Sequence, residues 1–253
     1  MDDLRGKRVL VTGASTGIGA AVARGFGAAG ASVGVHFNAS AADAEAVVAD
    51  SVAAGARAVP LRADMRDAAA TRDLVARAHR ELGGLDVLVN NAGHLLRRVP
   101  LDALDEALFD ELVDLNMRSV FVATQAAARI FVAQGRGNVI STTSISARSG
   151  GGPGVALYAG TKAFVSAFTR NVARELAPKG IRVNAVSPGV IETPLHARLS
   201  SPEVMEAMRA AVPMGRLGAS EECVGAYLYL ASDRLSGYVT GQVIEVNGGQ
   251  LMP

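Results

Sequence analysis

Along this chain, apolar runs of strand length alternate with longer helical patterns, and few folds accommodate that order. Arg8–Val11, Ser32–Phe37, Ala58–Leu61, Leu85–Val89, Asn138–Ser141, Arg182–Val186 and Gln242–Val246 read as strands rich in valine, leucine and isoleucine. Between them lie helical patterns over Gly17–Gly30, Ala41–Ala54, Asp67–Leu82, Asp105–Gln134, Val155–Ala177, Pro194–Met214 and Glu221–Ala231. Asp105–Gln134 is long enough for one helix or a bent pair, and Pro194–Met214 is interrupted by Pro202 and Pro213. Leu74, Ala78 and Leu82 recur at spacing four, the stripe of an amphipathic helix, and Gly83-Gly84 stops it. Such alternation predicts an α/β fold, a doubly wound parallel sheet of about seven strands with helices on both faces. No linker or repeat divides residues 1–253, so they are expected to form a single domain.

Composition narrows the class. Apolar residues make up 49% of the chain and charged ones only 19%, enough for a large core. The formal net charge of +1, without a basic block, gives no reason to expect nucleic acid or an anionic membrane as partner. Cys223 is the only cysteine, which excludes an intramolecular disulfide and a cysteine-based zinc site. His94 and His196 have no partner at ligand spacing, so no metal is expected. The charged start Met1–Arg8 is unlike a signal peptide, and no apolar stretch reaches the roughly 18–20 residues that cross a bilayer. A cytoplasmic location is the expectation.

Polar residues follow the strands in a pattern that core packing does not require. Thr12-Gly13, Asp64, Asn90-Asn91-Ala92-Gly93, Ser141–Ser144 and Ser187-Pro188-Gly189 each stand just beyond a strand. In an open parallel sheet all of them fall on the carboxyl edge, where such folds bind ligands. Gly13-Ala-Ser15-Thr16-Gly17-Ile18-Gly19 is a glycine turn between a strand and a helix. It lets backbone approach a pyrophosphate and aims the helix N-terminus at it. Tyr158 and Lys162 are four residues apart, hence on one helical face. An ammonium there is expected to lower the phenol from its ordinary pKa of about 10, fitting it for proton transfer.

Taken together, Thr12-Gly13-x-x-x-Gly17-Ile18-Gly19, Asn90-Asn91-Ala92-Gly93, Asn116, Ser144, Tyr158-x-x-x-Lys162 and Ser187-Pro188-Gly189 with Thr193 resemble the short-chain dehydrogenase/reductase family, in its single-domain branch of this length. The motifs occur in the family's order and span nearly the whole chain. Gly241–Gly249 is similar to its closing strand, with Asn247 where an aspartate is common.

The resemblance implies a Rossmann-type sheet, a nicotinamide dinucleotide and hydride transfer to or from a carbonyl/secondary alcohol substrate. Tyr158 would be the general acid/base, Lys162 its partner, Ser144 the donor to the reacting oxygen, and Asn116 the holder of a water that links Lys162 to solvent. Ser141, Thr142, Thr143 and Ser146 are rival hydroxyls; Ser144 is chosen by its offset from Tyr158, with one extra residue placed in Gly150–Gly154. From the residues alone, Asn116 reads rather as a polar residue that bends the helix Asp105–Gln134. The dinucleotide would lie along Gly13, Ser15, Thr16, Gly17, Ile18 and Gly19. Asp64 and Met65 would meet the adenine, Asn90, Ala92 and Gly93 the adenosine ribose region, and Tyr158 with Lys162 the nicotinamide ribose. Pro188, Gly189, Ile191 and Thr193 would hold the carboxamide. Asp64 reads otherwise as a cap for the helix near Asp67.

Phe37 stands where an NAD-selecting carboxylate would be, and Asn38, Ser40 and Thr16 can donate to a 2′-phosphate. NADP(H) is therefore the expected cofactor, with NAD(H) still possible. Arg97 and Arg98 would suit an acidic substrate group, or belong to a solvated loop. Residues from about 190 to 215 would form a substrate lid, and the helices Asp105–Gln134 and Val155–Ala177 would pair subunits into a homotetramer. A non-catalytic dinucleotide sensor on the same fold would have no need of the Asn116, Ser144, Tyr158 and Lys162 set. An epimerase or dehydratase would usually be longer.

Overall fold

The structure, a computed structural model, describes residues 2–193 and 202–252. Its main sheet contains β1 (Arg8–Val11), β2 (Ser32–Phe37), β3 (Ala58–Arg62), β4 (Val87–Asn90), β5 (Gly137–Thr142), β6 (Ile181–Pro188) and β9 (Val243–Val246). The order across it is β3-β2-β1-β4-β5-β6-β9, parallel at every pairing. This is the Rossmann-type, doubly wound sheet that the alternation predicts. The winding reverses between β1 and β4, which opens a crevice at their carboxyl ends.

Strand pleating divides the core. Val9, Val11, Val33, Val35, Val87 and Val89 face one side, under α1 (Gly17–Ala28) and α2 (Ala41–Ala53). Leu10, Leu88, Val139 and Val183 face the other, under α3 (Ala68–Leu82) and Ala123, Ala127 and Phe131. Strands covered on both faces need the near-continuous apolar runs found in the sequence. Asp67 caps α3, accepting from Ala69 N at 2.7 Å and Ala70 N at 3.1 Å. The cap is thus Asp67 itself and not Asp64. Opposite the crevice, Arg8 clasps Asp86 through Nε and Nη2, both at 2.7 Å, tying β1 to the start of β4.

Three features depart from the sequence reading. Asp105–Gln134 is the pair of helices that the sequence allowed, but the irregularity between them is a π turn. It is α4 (Glu106–Val113) and α5 (Ser119–Gln134), joined through a π turn over Asp114–Arg118. The strand expected at Arg182–Val186 continues to Pro188. Ile191–Glu192 (β7) and Gly218–Ala219 (β8) form a separate two-stranded parallel sheet. After β5 come the short α6 (Ser146–Ser149) and the long α7 (Ala156–Leu176), and α8 (Pro202–Ala210) occupies part of the expected lid. Residues 194–201, with His196, lie outside the described residues. Among the described residues, no helix is long and apolar enough to cross a membrane.

Candidate active site

The crevice is a groove of about 590 Å³ running along the carboxyl edge from the end of β2 to the start of α7. A hydrogen-bond lattice fixes its floor. The Thr12 hydroxyl accepts from Asn91 N at 2.9 Å and Ala92 N at 3.0 Å, joining β1 to the turn after β4. The Asn91 amide donates to Thr12 O and Gly13 O, both at 3.0 Å, and its Oδ1 accepts from Thr142 Oγ1 at 3.3 Å. The buried Tyr227 hydroxyl backs Thr142 at 2.7 Å.

Gly13, Ser15, Thr16, Gly17, Ile18 and Gly19 form one wall. A Cβ on Gly19 would lie 2.1 Å from Gly13 O, so only glycine permits this turn. Thr16 sits at the N-cap of α1 without capping it, which leaves the first-turn N–H groups for a ligand. The donor set suits a pyrophosphate.

His36 was not singled out in the sequence, although a histidine in an otherwise apolar strand is a signal. Its Nδ1 accepts from Gly13 N at 2.9 Å, and Nε2 is 3.2 Å from Ala63 O. The acceptor role of Nδ1 requires a proton on Nε2. Burial pushes this imidazole down to about 4, so it stays neutral and holds the glycine turn between β1 and β3.

At the adenine end, Phe37, Asn38, Ser40, Asp64 and Met65 line the groove. Phe37 is only 9% exposed and packs into the core, so a carboxylate there would be largely buried. Ser40 opens α2 without a side-chain capping bond. Asp64 accepts from Arg66 N at 2.9 Å and Arg66 Nη2 at 2.6 Å, and that guanidinium holds its carboxyl below the ordinary value. Arg66 also reaches Glu111 at 3.1 Å. Ala92 and Gly93 line the middle of the groove. Asn90 does not present its side chain there, contrary to expectation. Its Nδ2 donates to Thr124 Oγ1 at 2.9 Å inside the core, because its position in β4 points away from the groove.

Ser144, Tyr158 and Lys162 converge at the far end. Lys162 is 4% exposed, and Nζ donates to Thr142 O at 2.9 Å. It lies 5.8 Å from the centre of the Tyr158 ring. Burial pushes Lys162 down to about 8. Tyr158 departs from expectation. The side chain is half-buried, desolvation pushes the phenol up to about 12, and the hydrogen bond with Ser144 only partly opposes this. Desolvation outweighs the ammonium effect argued from spacing.

Asn116 is fully buried in the π turn and brackets His94, accepting from its N–H at 2.9 Å and donating to its carbonyl at 3.0 Å. A Cβ on Gly93 would come 2.8 Å from Asn116 Oδ1 and 3.1 Å from Lys162 Nζ, so glycine is what lets the two approach the turn together. Pro188, Gly189, Ile191 and Thr193 form the opposite wall, and a Cβ on Gly17 would meet Thr193 Cγ2 at 3.3 Å. His94 lines the groove, and its Nδ1 accepts from Leu96 N at 2.6 Å, supporting Leu96 at φ 64°. Arg97 pairs with Asp105 at 3.0 Å, and neither Arg97 nor Arg98 lines the groove.

A glycine turn at a helix N-terminus, at the switch point of a parallel sheet, with a serine, a tyrosine and a lysine beyond it, defines a dinucleotide-dependent oxidoreductase. Comparison with known proteins agrees. A family model described as enoyl-(acyl carrier protein) reductase matches residues 13–250. A 3-oxoacyl-[acyl-carrier-protein] reductase of Synechocystis sp. is 37% identical over all of both chains. An L-rhamnose 1-dehydrogenase (NAD(P)(+)) of Sphingomonas sp. is 39% identical, covering 97% of this chain and 96% of its own. Among solved structures, an NADH-dependent reductase responsible for alginate metabolism superposes with a TM-score of 0.93 at 38% identity over all of both chains. The chain belongs to the short-chain dehydrogenase/reductase family. It is an NAD(P)-dependent oxidoreductase acting on carbonyl or alcohol groups of small molecules.

The buried histidine gives the site a pH signature. The folded pKa of His36 lies below the ordinary value of about 6.5, so the unfolded chain binds more protons between the two and stability falls as pH drops through that window. From pH 7 to pH 5 this group should cost about 2 kcal/mol. Urea unfolding of wild type and His36→Gln at both pH values should show that loss in wild type and its absence in the variant.

Proposed function

We propose that this protein reduces a small carbonyl compound with NADP(H), with Tyr158 as the proton donor. The Tyr158 hydroxyl hydrogen-bonded to Ser144, with Lys162 5.8 Å from the centre of its ring, carries this reading. The dinucleotide supplies the hydride. A phenol pushed up to about 12 is fully protonated at neutral pH, which suits a donor to a carbonyl oxygen gaining negative charge. Ser144 donates to that same oxygen, and Lys162 holds the nicotinamide ribose. Asn116 positions the His94 turn beside Lys162 and holds the water that links the lysine to solvent. Gly13, Ser15, Thr16, Gly17, Ile18 and Gly19 hold the pyrophosphate, Asp64 and Met65 the adenine, and Asn90 reaches the ribose through its backbone, with Ala92 and Gly93. Pro188, Gly189, Ile191 and Thr193 hold the carboxamide. Tyr158→Phe removes one oxygen and keeps the ring. Turnover should fall at least about a hundredfold while dinucleotide affinity stays nearly intact, measured by steady-state kinetics and fluorescence titration. A variant keeping more than about a tenth of the wild-type rate would exclude Tyr158 as donor.

The preference for NADP(H) rests on the end of β2, where the core-packed Phe37 takes the place of a ribose-binding carboxylate and Asn38, Ser40 and Thr16 line the rim. A hydrogen bond from a neutral donor contributes about 1 kcal/mol net and somewhat more to a charged acceptor, so one or two such bonds from these residues give a tens-fold preference. The ratio of kcat/KM for NADPH over NADH measures it. Asn38→Asp, at the exposed rim, should lower the ratio by placing a carboxylate against the phosphate.

We also propose a homotetramer. Phe121 on α5 is 42% exposed and meets Phe168 of α7 edge-on at 6.4 Å, and Phe168 stacks on Phe164 at 5.4 Å. With Phe109 and Val132 also exposed, the outer face of these helices is an apolar ridge suited to a second copy. Light scattering should give about four times the chain mass, and a monomer at working concentration would refute this.

A further inference from the structure

We infer that Arg62, at the end of β3, is the cation that selects the 2′-phosphate of NADP(H), a role for which the glycine turn and the end of β2 supply no arginine. The inference rests on the NADP(H) reading above and names the residue responsible for it.

The sheet brings Arg62 to that place. β2 and β3 run parallel in a register that sets Phe37 beside Arg62, at the carboxyl end of both strands. Phe37 is turned into the core, while Arg62 is exposed. Arg62 Nε donates to Asn38 O at 3.1 Å, so the guanidinium is anchored on the backbone of the residue that follows β2; Arg62 itself stands just behind the groove lining, which Asn38 and Ser40 form. Its own carbonyl accepts from Arg77 Nη2 at 2.6 Å, which fixes the strand end beneath it.

Three arginines meet at this corner, and two are already committed. Arg66 pairs with Asp64 at 2.6 Å and with Glu111 at 3.1 Å. Arg77 pairs with Asp73 at 2.8 Å. Among the described residues, Arg62 makes no ion pair, and its anchor through Nε leaves the Nη groups as donors beside Asn38. A guanidinium held at one nitrogen and open at the others is preorganised for a phosphate. The rim also contains Asp43, in the first turn of α2, whose charge opposes a phosphate. Arg62 offsets that charge, which the neutral donors Asn38, Ser40 and Thr16 do not.

The test is binding rather than turnover. Isothermal titration compares adenosine 2′,5′-bisphosphate with 5′-AMP, which differ only in the 2′-phosphate, on wild type, Arg62→Ala and Arg62→Lys. Wild type should favour the bisphosphate, and Arg62→Ala should weaken it by about tenfold or more while leaving 5′-AMP within about twofold. Arg62→Lys, which keeps the charge but not the fork, should recover part of the loss. If wild type favours the bisphosphate and Arg62→Ala binds it equally well, Arg62 is not the selector although the NADP(H) reading stands. Equal weakening of both ligands would mean that Arg62 only supports the Asn38 turn, which also overturns the assignment. If wild type itself shows no preference, the NADP(H) reading fails, and the role of Arg62 fails with it.

Discussion

The side chains of Thr12, Asn91 and Thr142 lie across the carboxyl ends of β1, β4 and β5, and the groove depends on their hydrogen bonds. The sheet's own ladders end there, and the switch point would otherwise be a gap between diverging connections. The Thr12 hydroxyl takes two backbone N–H groups of the Asn91-Ala92 turn, and the Asn91 amide returns two bonds to the carbonyls of Thr12 and Gly13. Buried polar groups satisfied in this way fix one arrangement, because each alternative leaves a donor or acceptor unpaired. The crevice is therefore set before any ligand arrives.

The same economy of burial governs the reacting groups. Lys162 and the Tyr158 hydroxyl are both desolvated, which moves their pKa values in opposite directions, the ammonium down and the phenol up. Each shift favours the neutral form. The phenol therefore keeps its proton until a carbonyl oxygen gaining negative charge, a stronger base than the phenolate, takes it. Fixed dipoles complete the setting. Thr142 orients the lysine through its carbonyl and steadies Asn91 through its hydroxyl, so one residue of β5 connects proton chemistry to the floor of the groove.

Much of this was legible in the sequence because it is written locally. Strand runs, the glycine turn after β1, and the Tyr158–Lys162 spacing depend on neighbours within a few positions, and the structure places those elements where they were expected. The rest depends on contacts between distant segments. Asn90 and Asn91 are adjacent and chemically identical, yet only the pleat of β4 decides that the first faces Thr124 and the second faces the groove. The cap belongs to Asp67, which stands at the residue before α3, while Asp64 accepts from Arg66 two residues further on. His36 and Arg62 gain their positions from sheet register, which no single stretch reveals. The Tyr158 hydroxyl carries the largest lesson: spacing argued for a lowered pKa, while burial, a property of the assembled fold, raised it.

The π turn over Asp114–Arg118 has one more consequence. A π turn adds a residue to the helical path, and each residue of a regular helix advances the path by about 100°. Everything C-terminal to Asn116 is therefore phased by that one insertion, including which residues of α5 meet the sheet and which face outward. Ala123, Ala127 and Phe131 point inward, and Phe121 and Val132 point out. Removing a single residue here would do more than displace Asn116 from the His94 turn. It would rotate the whole of α5 like a misaligned gear, turning apolar side chains of the core toward water and the outer ridge toward the sheet. The groove and the molecule's outer face thus share one register, set at the most irregular turn of the helix.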